Sequence, residues 1–294
     1  MAGQGRAVSS MAGRENTTAS QPERAYYFRF SLGQRYLHGL LIATFLGLAA
    51  TGMTLRFSDT PWARDVAGAI GGFRALLFLH KFCAVLLTAG FLFHVGDILY
   101  RALIKRERGL LWGPESLVPQ PRDFADLYQH LRWFFRRGPK PSFDRYTYWE
   151  KFDYWAVFWG MAIIGISGYM MWFAPFFARF MPGYMLNVAL LVHGEEALLA
   201  VWFIFIVHFF NSHLRPEKFP MDPVIFTGRV SEEDLRTERL LEYQRLAQRG
   251  ELKDIAAEAP PRWLGNFARL LAVLAVGIGF FLLAATLAAF FFGA

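Results

Sequence analysis

The chain has 294 residues, 54% of them hydrophobic and 17% aromatic, with 31 Phe and a formal net charge of +7. Apolar residues in blocks as long as these exclude an ordinary soluble domain. A single cysteine, Cys83, excludes an internal disulfide, a four-cysteine iron–sulfur site and a cofactor tethered through paired cysteines, so any redox centre in this chain must use histidine.

Residues 1–24 carry Gly, Ser, Thr, Ala and charge with no apolar core; they read as a disordered tail rather than a secretory signal, and the tail is drawn to residue 29. A bilayer core is crossed by about 20 apolar residues. Five blocks reach that length, near 36–56, 75–100, 152–173, 186–210 and 267–292. After the first, SDTPW and AGAIGG predict a short turn or interfacial helix. The 101–151 segment then holds three prolines by residue 121, followed by DFADLYQHLRWFFRR. The helical spacing of its apolar residues predicts an amphipathic helix lying at the membrane surface. An aromatic belt, PKPSFDRYTYWEKFDYW, announces the third span. Beyond the fourth, the polar segment 216–265 opens with a Pro-broken extended stretch, PEKFPMDPVIFTG, and continues into a solvated helix capped by Ser231 with Asp234. The last span, within 266–294, has no histidine, which suits packing or partner docking.

Charge is distributed unevenly. Five Arg/Lys precede the first span, eleven lie in 101–151 and ten in 211–269, against two in 57–74 and one in 174–185. Positive-inside bias places the N-terminus and both long loops in the cytoplasm and, after five spans, the C-terminus in the periplasm. Basic loops beside membrane spans set topology and touch lipid, so no nucleic-acid partner is expected.

Histidine placement carries the chemistry. Six of the seven histidines fall inside or at the end of a span, where polar side chains are costly and generally have a partner or a function. His80 and His94 are 14 residues apart in the second span, and His193 and His208 are 15 apart in the fourth. Such intervals rise about 21–22 Å and return within about 60° of whole helical turns. Each helix therefore offers two imidazoles near one face, one toward each side of the bilayer. That is the arrangement for two bis-histidine haems stacked across a membrane, and it points to transmembrane electron transfer. Depth pairs His80 with His193 at the outer side. For His208, at the inner side, two partners compete: spacing favours His94, and His38 opens the first span at the same depth. His213 could serve a third haem, line a quinone site or sit among headgroups. His130, in the surface segment, reads as structural.

Glu195 and Glu196, within a turn of His193, read either as a proton path, quinone contact or orienting partner of an axial histidine, or as residues facing an aqueous crevice. Asp97 and Lys81 raise the same question. Arg35 and Arg74 could pair with carboxylates of a cofactor. Gly47, Gly90, Gly160, Gly165 and Gly168 suit close approach between helices.

The segments RYLHGLLIATFLGLAATGMTLRF, LHKFCAVLLTAGFLFH, GISGYMMWFAPFF and LLVHGEEALLAVWFIFIVHFF, in that order, resemble the dihaem cytochrome b subunits of membrane formate dehydrogenases, with related subunits in hydrogenases and thiosulfate reductases. The likeness covers about residues 30–215. It implies that His80 and His193 hold the outer haem, and His38 and His208 the inner. It also implies quinone chemistry near the inner haem and an outer-face redox partner, in a bacterial inner membrane. Two departures stand out. The fourth-span interval is 15 where the family usually has 14, and His94 gives the second and fourth spans the spacing of cytochrome b6.

The expected fold is an all-α integral membrane bundle: a four-helix haem-binding core (30–215), a cytoplasmic segment (216–265) and a fifth C-terminal transmembrane helix. The expected function is electron transfer between quinone and an iron–sulfur or multihaem redox subunit, through two haem b groups or three. It would act as an electron-transfer subunit of an oxidoreductase complex. Two rivals are a haem-free proton-coupled transporter using a buried His/Glu relay, for which no inverted repeat is visible, and a structural anchor with inert histidines.

Overall fold

The first span begins at a reciprocal cap. Ser31 Oγ accepts the backbone N–H of Gln34, and the Gln34 side chain accepts the N–H of Ser31, which satisfies two donors that a helix start otherwise leaves orphaned. The computed structural model describes residues 25–292. Five helices are long and apolar enough to cross a membrane: Leu32–Arg56, Phe73–Ile104, Tyr148–Trp172, Tyr184–Leu214 and Arg262–Phe292. All five expected spans are present, each starting earlier than hydropathy placed it. The reason is physical: hydropathy marks the part that matches hydrocarbon, whereas the helix continues to its cap. For the third span that cap is a second reciprocal pair, Thr147 with Glu150.

The first span packs along the second and also touches the fourth and fifth. Its Gly47 lies against Cys83, where an added Cβ would come 2.7 Å from Sγ. The apolar core joins Ala49 and Met53 of the first span to Val201, Phe205 and Phe209 of the fourth and Ala275 and Leu282 of the fifth. So the fifth span serves packing within the chain. Outward-facing Phe78, Phe93, Leu103 and Phe280 are all more than 60% exposed, which is the composition of a surface that meets lipid. The fold is an all-α integral membrane bundle.

Between the first two spans, Pro61–Ile70 is the expected short helix. In the long loop, Pro121–Phe134 is the expected amphipathic helix, fastened to the start of the third span by Lys151 Nζ on Asp123 at 2.9 Å. Ser231 caps Glu232–Glu238 as its sequence indicates, and a second helix, Leu240–Arg249, follows. Val224–Thr227 form one helical turn where an extended stretch was expected; Asp222 accepts the N–H of Val224 and starts it.

The tail boundary at residue 29 needs correction. Residues 1–24 lie outside the described part, but Tyr26–Phe28 form strand β1, which pairs antiparallel with β2 (Arg229–Ser231) and β3 (Ala256–Ala257). Tyr27 lies in a small apolar core with Val224, Val230 and Leu235. Gly228 makes the return possible, since at φ 71 its carbonyl accepts from the N–H of Arg29 and Phe30 and a Cβ there would meet Phe30 O at 2.7 Å. This layer covers the end of the bundle that carries the basic loops, called here the basic end. Its charges are paired with one another: Glu242, 2% exposed, accepts from Arg29 at 2.8 Å and Arg145 at 3.0 Å, and Arg239 reaches Glu150 at 2.7 Å.

Candidate functional site

A cavity of about 1960 Å³ runs between the first four spans. An ordinary ligand pocket holds roughly 300–1,000 Å³, so this one has room for more than one large, flat guest. Five of the six span histidines line it: His38, His80, His193, His208 and His213.

At the end away from the basic loops, the rings of His80 and His193 face each other with centroids 6.3 Å apart. Both Nδ1 atoms are occupied. Thr51 Oγ1 donates to Gly47 O at 2.6 Å, which leaves its lone pair to accept Nδ1–H of His80 at 2.9 Å. His193 Nδ1 donates to Ile164 O at 2.9 Å, within the π turn Met161–Gly165. With Nδ1 protonated in each ring, Nε2 is the free lone pair on both. Glycines back both imidazoles: a Cβ on Gly168 would lie 2.9 Å from His193 Cε1, and one on Gly52 would lie 3.2 Å from His80 Cε1.

Toward the basic end, His38 and His208 line the same cavity. His208 Nδ1 donates to Asp153 Oδ2 at 2.9 Å. The 15-residue interval from His193 to His208 is reconciled by the π turn Ile204–His208. A π turn takes one residue more than an α turn, which winds His208 back toward the face of His193.

His94 stands apart. It does not line the cavity; its Nε2 is hydrogen-bonded to Tyr154 Oη at 2.9 Å, and its ring packs on Tyr154 and Phe158. The structure thus brings together the two long-range partners of His193 and His208 but sets His94 aside. His213, 8% exposed, packs its ring on Phe209 at 4.8 Å, and its Nδ1 is buried without a partner among the described residues.

The acids near His193 do not orient it. Glu195 pairs with Arg56 at 2.7 Å, and Glu196, which lines the cavity, accepts from Trp159 Nε1 at 3.2 Å. The orienting groups are Thr51, Ile164 O and Asp153, which sequence reasoning missed. Asp153 had a legible signal, an acid inside a span. Lys81 lies over the Trp172 ring at 4.9 Å, Arg35 donates to Phe226 O, and Asp97 pairs with Arg101. His130, bonded to Tyr148 Oη and ringed by Trp133, Phe143 and Trp149, is structural, and burial pushes its pKa down.

A model of the prokaryotic cytochrome b561 family matches residues 29–215, more than half of the chain and all of the cavity-lining histidines. The chain belongs to the prokaryotic cytochrome b561 family. Membership carries b-type haem binding and transmembrane electron transfer with it, in a multi-pass prokaryotic membrane protein. No curated protein sequence matches the chain. The two ends of the cavity differ in charge: the ion pair Arg56–Glu195 stands at one, and the layered charges of residues 215–242 at the other. In that layer burial disfavours the charged form of Lys218, yet the carboxylates of Asp222, Glu238 and Asp234, each at 3.3 Å, outweigh it and raise the pKa.

Proposed function

We propose that this protein holds two b haems and relays electrons between a membrane quinone and a redox partner on the opposite face. His80 and His193 are the axial ligands away from the basic loops, and His38 and His208 those at the basic end. The observation that carries this is the facing outer pair. Two metal–imidazole bonds of about 2 Å each, plus the reach from each nitrogen to its ring centre, set axial rings about 6 Å apart; His80 and His193 stand at 6.3 Å with Nδ1 of both already engaged.

When bound, each haem supplies a one-electron ferric/ferrous couple. The protein's part is to fix and tune it. Thr51 and Ile164 O hold the outer rings in the tautomer that presents Nε2, and the Asp153 carboxylate does so for His208 while making that imidazole the more basic ligand. Gly52 and Gly168 leave the rings their place. Apolar lining such as Phe45, Leu46, Ala197 and Ile204 excludes water from the route. His94, engaged by Tyr154, is outside the ligand set, which favours two haems over three.

His213, with an unpartnered buried Nδ1 lining the cavity, is the donor we assign to a quinone oxygen at the basic end. Positive-inside bias supports a cytoplasmic position for that end, with an iron–sulfur or multihaem redox subunit as the partner at the other face. Glu196 is at the outer part of the cavity and serves that side. The purified protein is expected to show a b-type α-band in a reduced-minus-oxidised spectrum and two extractable haems per chain. A protein that folds without haem and shows no α-band would sink this reading.

A further inference from the structure

His94 lies partly buried inside a span, where a polar side chain is costly, yet it does not line the histidine cavity and, as assigned above, binds no iron. Its Nε2 lies 2.9 Å from Tyr154 Oη, and Tyr154 does line the cavity, next in sequence to the Asp153 that holds His208. On the other side of His94, one turn toward the basic end, Asp97 pairs with Arg101 at 3.8 Å, and Arg101 with Glu107 at 2.7 Å. Asp97 is about half exposed, and Arg101 and Glu107 each about a third. The groups around the pair are thus Asp97 and Arg101 on the second span, and Tyr146 and Arg101 beside Tyr154. Ionisable side chains thus lie on both sides of the gap between the exposed basic end and a hydroxyl on the cavity wall: Asp97, Arg101 and Glu107 on one, and the His94–Tyr154 pair on the other.

We propose that His94 and Tyr154 form a proton relay joining the aqueous basic end to the quinone position near His208. The proposal rests on the quinone reading above. Reduction of a quinone to quinol takes two electrons and two protons. The two electrons would arrive one at a time, each from one ferrous-to-ferric oxidation of a haem held by the cavity histidines. For each proton, the Tyr154 O–H gives its hydrogen to a quinone oxygen, His94 Nε2–H re-protonates Tyr154 while Nδ1 takes up a proton from the Asp97 side, and the imidazole then turns over to return an N–H to Tyr154 before the next transfer. Quinol oxidation runs the same transfers backwards. His94 makes no other hydrogen bond among the described residues, so its Nδ1 is free for this uptake.

The test uses the full haem-loaded chain, with menadiol and decylubiquinol as reductants and the haem α-band followed by stopped flow. His94→Gln keeps an amide partner for Tyr154 but cannot pass a proton; Tyr154→Phe keeps the ring and removes the hydroxyl. Both are expected to retain two haems and an unchanged dithionite-reduced spectrum. Quinol-driven haem reduction should slow by about 10²-fold, the usual scale for a positioned proton-transfer group, with a larger solvent deuterium effect. Rates within about twofold of the parent protein for both variants, far below that scale, would overturn the relay and leave His94 a structural hydrogen-bond partner. Loss of one haem from His94→Gln would also overturn it, by making His94 a ligand. If neither quinol reduces the parent protein's haems while dithionite does, the quinone reading itself has failed.

Discussion

The two ends of the cavity present imidazoles in different settings. At the outer pair both Nδ1–H groups rest on neutral acceptors, the Thr51 hydroxyl and the Ile164 carbonyl. At the inner pair His208 rests on a carboxylate, Asp153. Hydrogen bonds to a charged acceptor are roughly twice as strong as neutral ones, and they push electron density onto the metal-binding nitrogen. The surroundings differ too. The outer end has one half-exposed ion pair, Arg56–Glu195, while the inner end lies under a sheet, two helices and a set of buried charges. Two identical cofactors would therefore differ in potential and in access to water, and a relay needs both differences to move electrons one way and protons at one end only.

The largest expected effect breaks the comparison by deleting one side. His193→Ala should remove a single haem per chain, leaving a spectrum of the inner one alone; loss of both would mean the two sites do not fold independently. Gly168→Ala acts on the same ring more gently. Its methyl would come 2.9 Å from His193 Cε1, an overpacking of about 1–3 kcal/mol, and outer haem occupancy should fall while inner occupancy holds. Equal losses at both sites on haem titration would contradict the cradle.

Asp153→Asn sharpens the contrast. Second-shell partners are typically worth about 10–100-fold in metal affinity, so the inner midpoint potential should rise by about 60–120 mV at 59 mV per tenfold for one electron. Thr51→Val should shift the outer potential by roughly half as much, since its partner is neutral. A spectroelectrochemical titration with equal shifts, or with the larger one at Thr51, would remove the distinction.

The smallest effect concerns pH. Burial alone would raise the Glu242 pKa, but Arg29 and Arg145 outweigh it and lower the pKa. Its stabilisation is therefore present above the ordinary glutamate value of about 4.3 and lost as pH falls through the lower folded value. Lys218 is the converse: its raised pKa gives stability that is complete below about 10.4 and lost as pH rises through the folded value. The protection factors of the Tyr26–Phe28 amides, exchange rates divided into the intrinsic rate at each pH, should stay constant between those limits and fall beyond them, with the outer-haem spectrum unmoved.

Much of this was legible in the chain. Five apolar blocks and the amphipathic 121–134 segment follow from a period that hydrophobic burial imposes, and three of the four long-range histidines, His80, His193 and His208, line the cavity. What escaped was what depends on close three-dimensional contact. β1 is only three residues long and is defined by partners more than 200 positions away. The acceptors of the axial rings are a hydroxyl, a carbonyl and an acid on other spans, which no spacing rule connects to a histidine. Which of His38 and His94 lines the cavity beside His208 depends on how the first and second spans are rotated against the fourth, which a 3.6-residue period leaves open.

That choice is also where the account is most exposed. Haem content and the reduced-minus-oxidised spectrum of His38→Ala and His94→Ala, purified side by side, test it most directly. The expected result is one haem in His38→Ala, with the outer spectrum intact, and two in His94→Ala. Two haems in His38→Ala and one in His94→Ala would place the inner ligand on the second span and contradict the assignment.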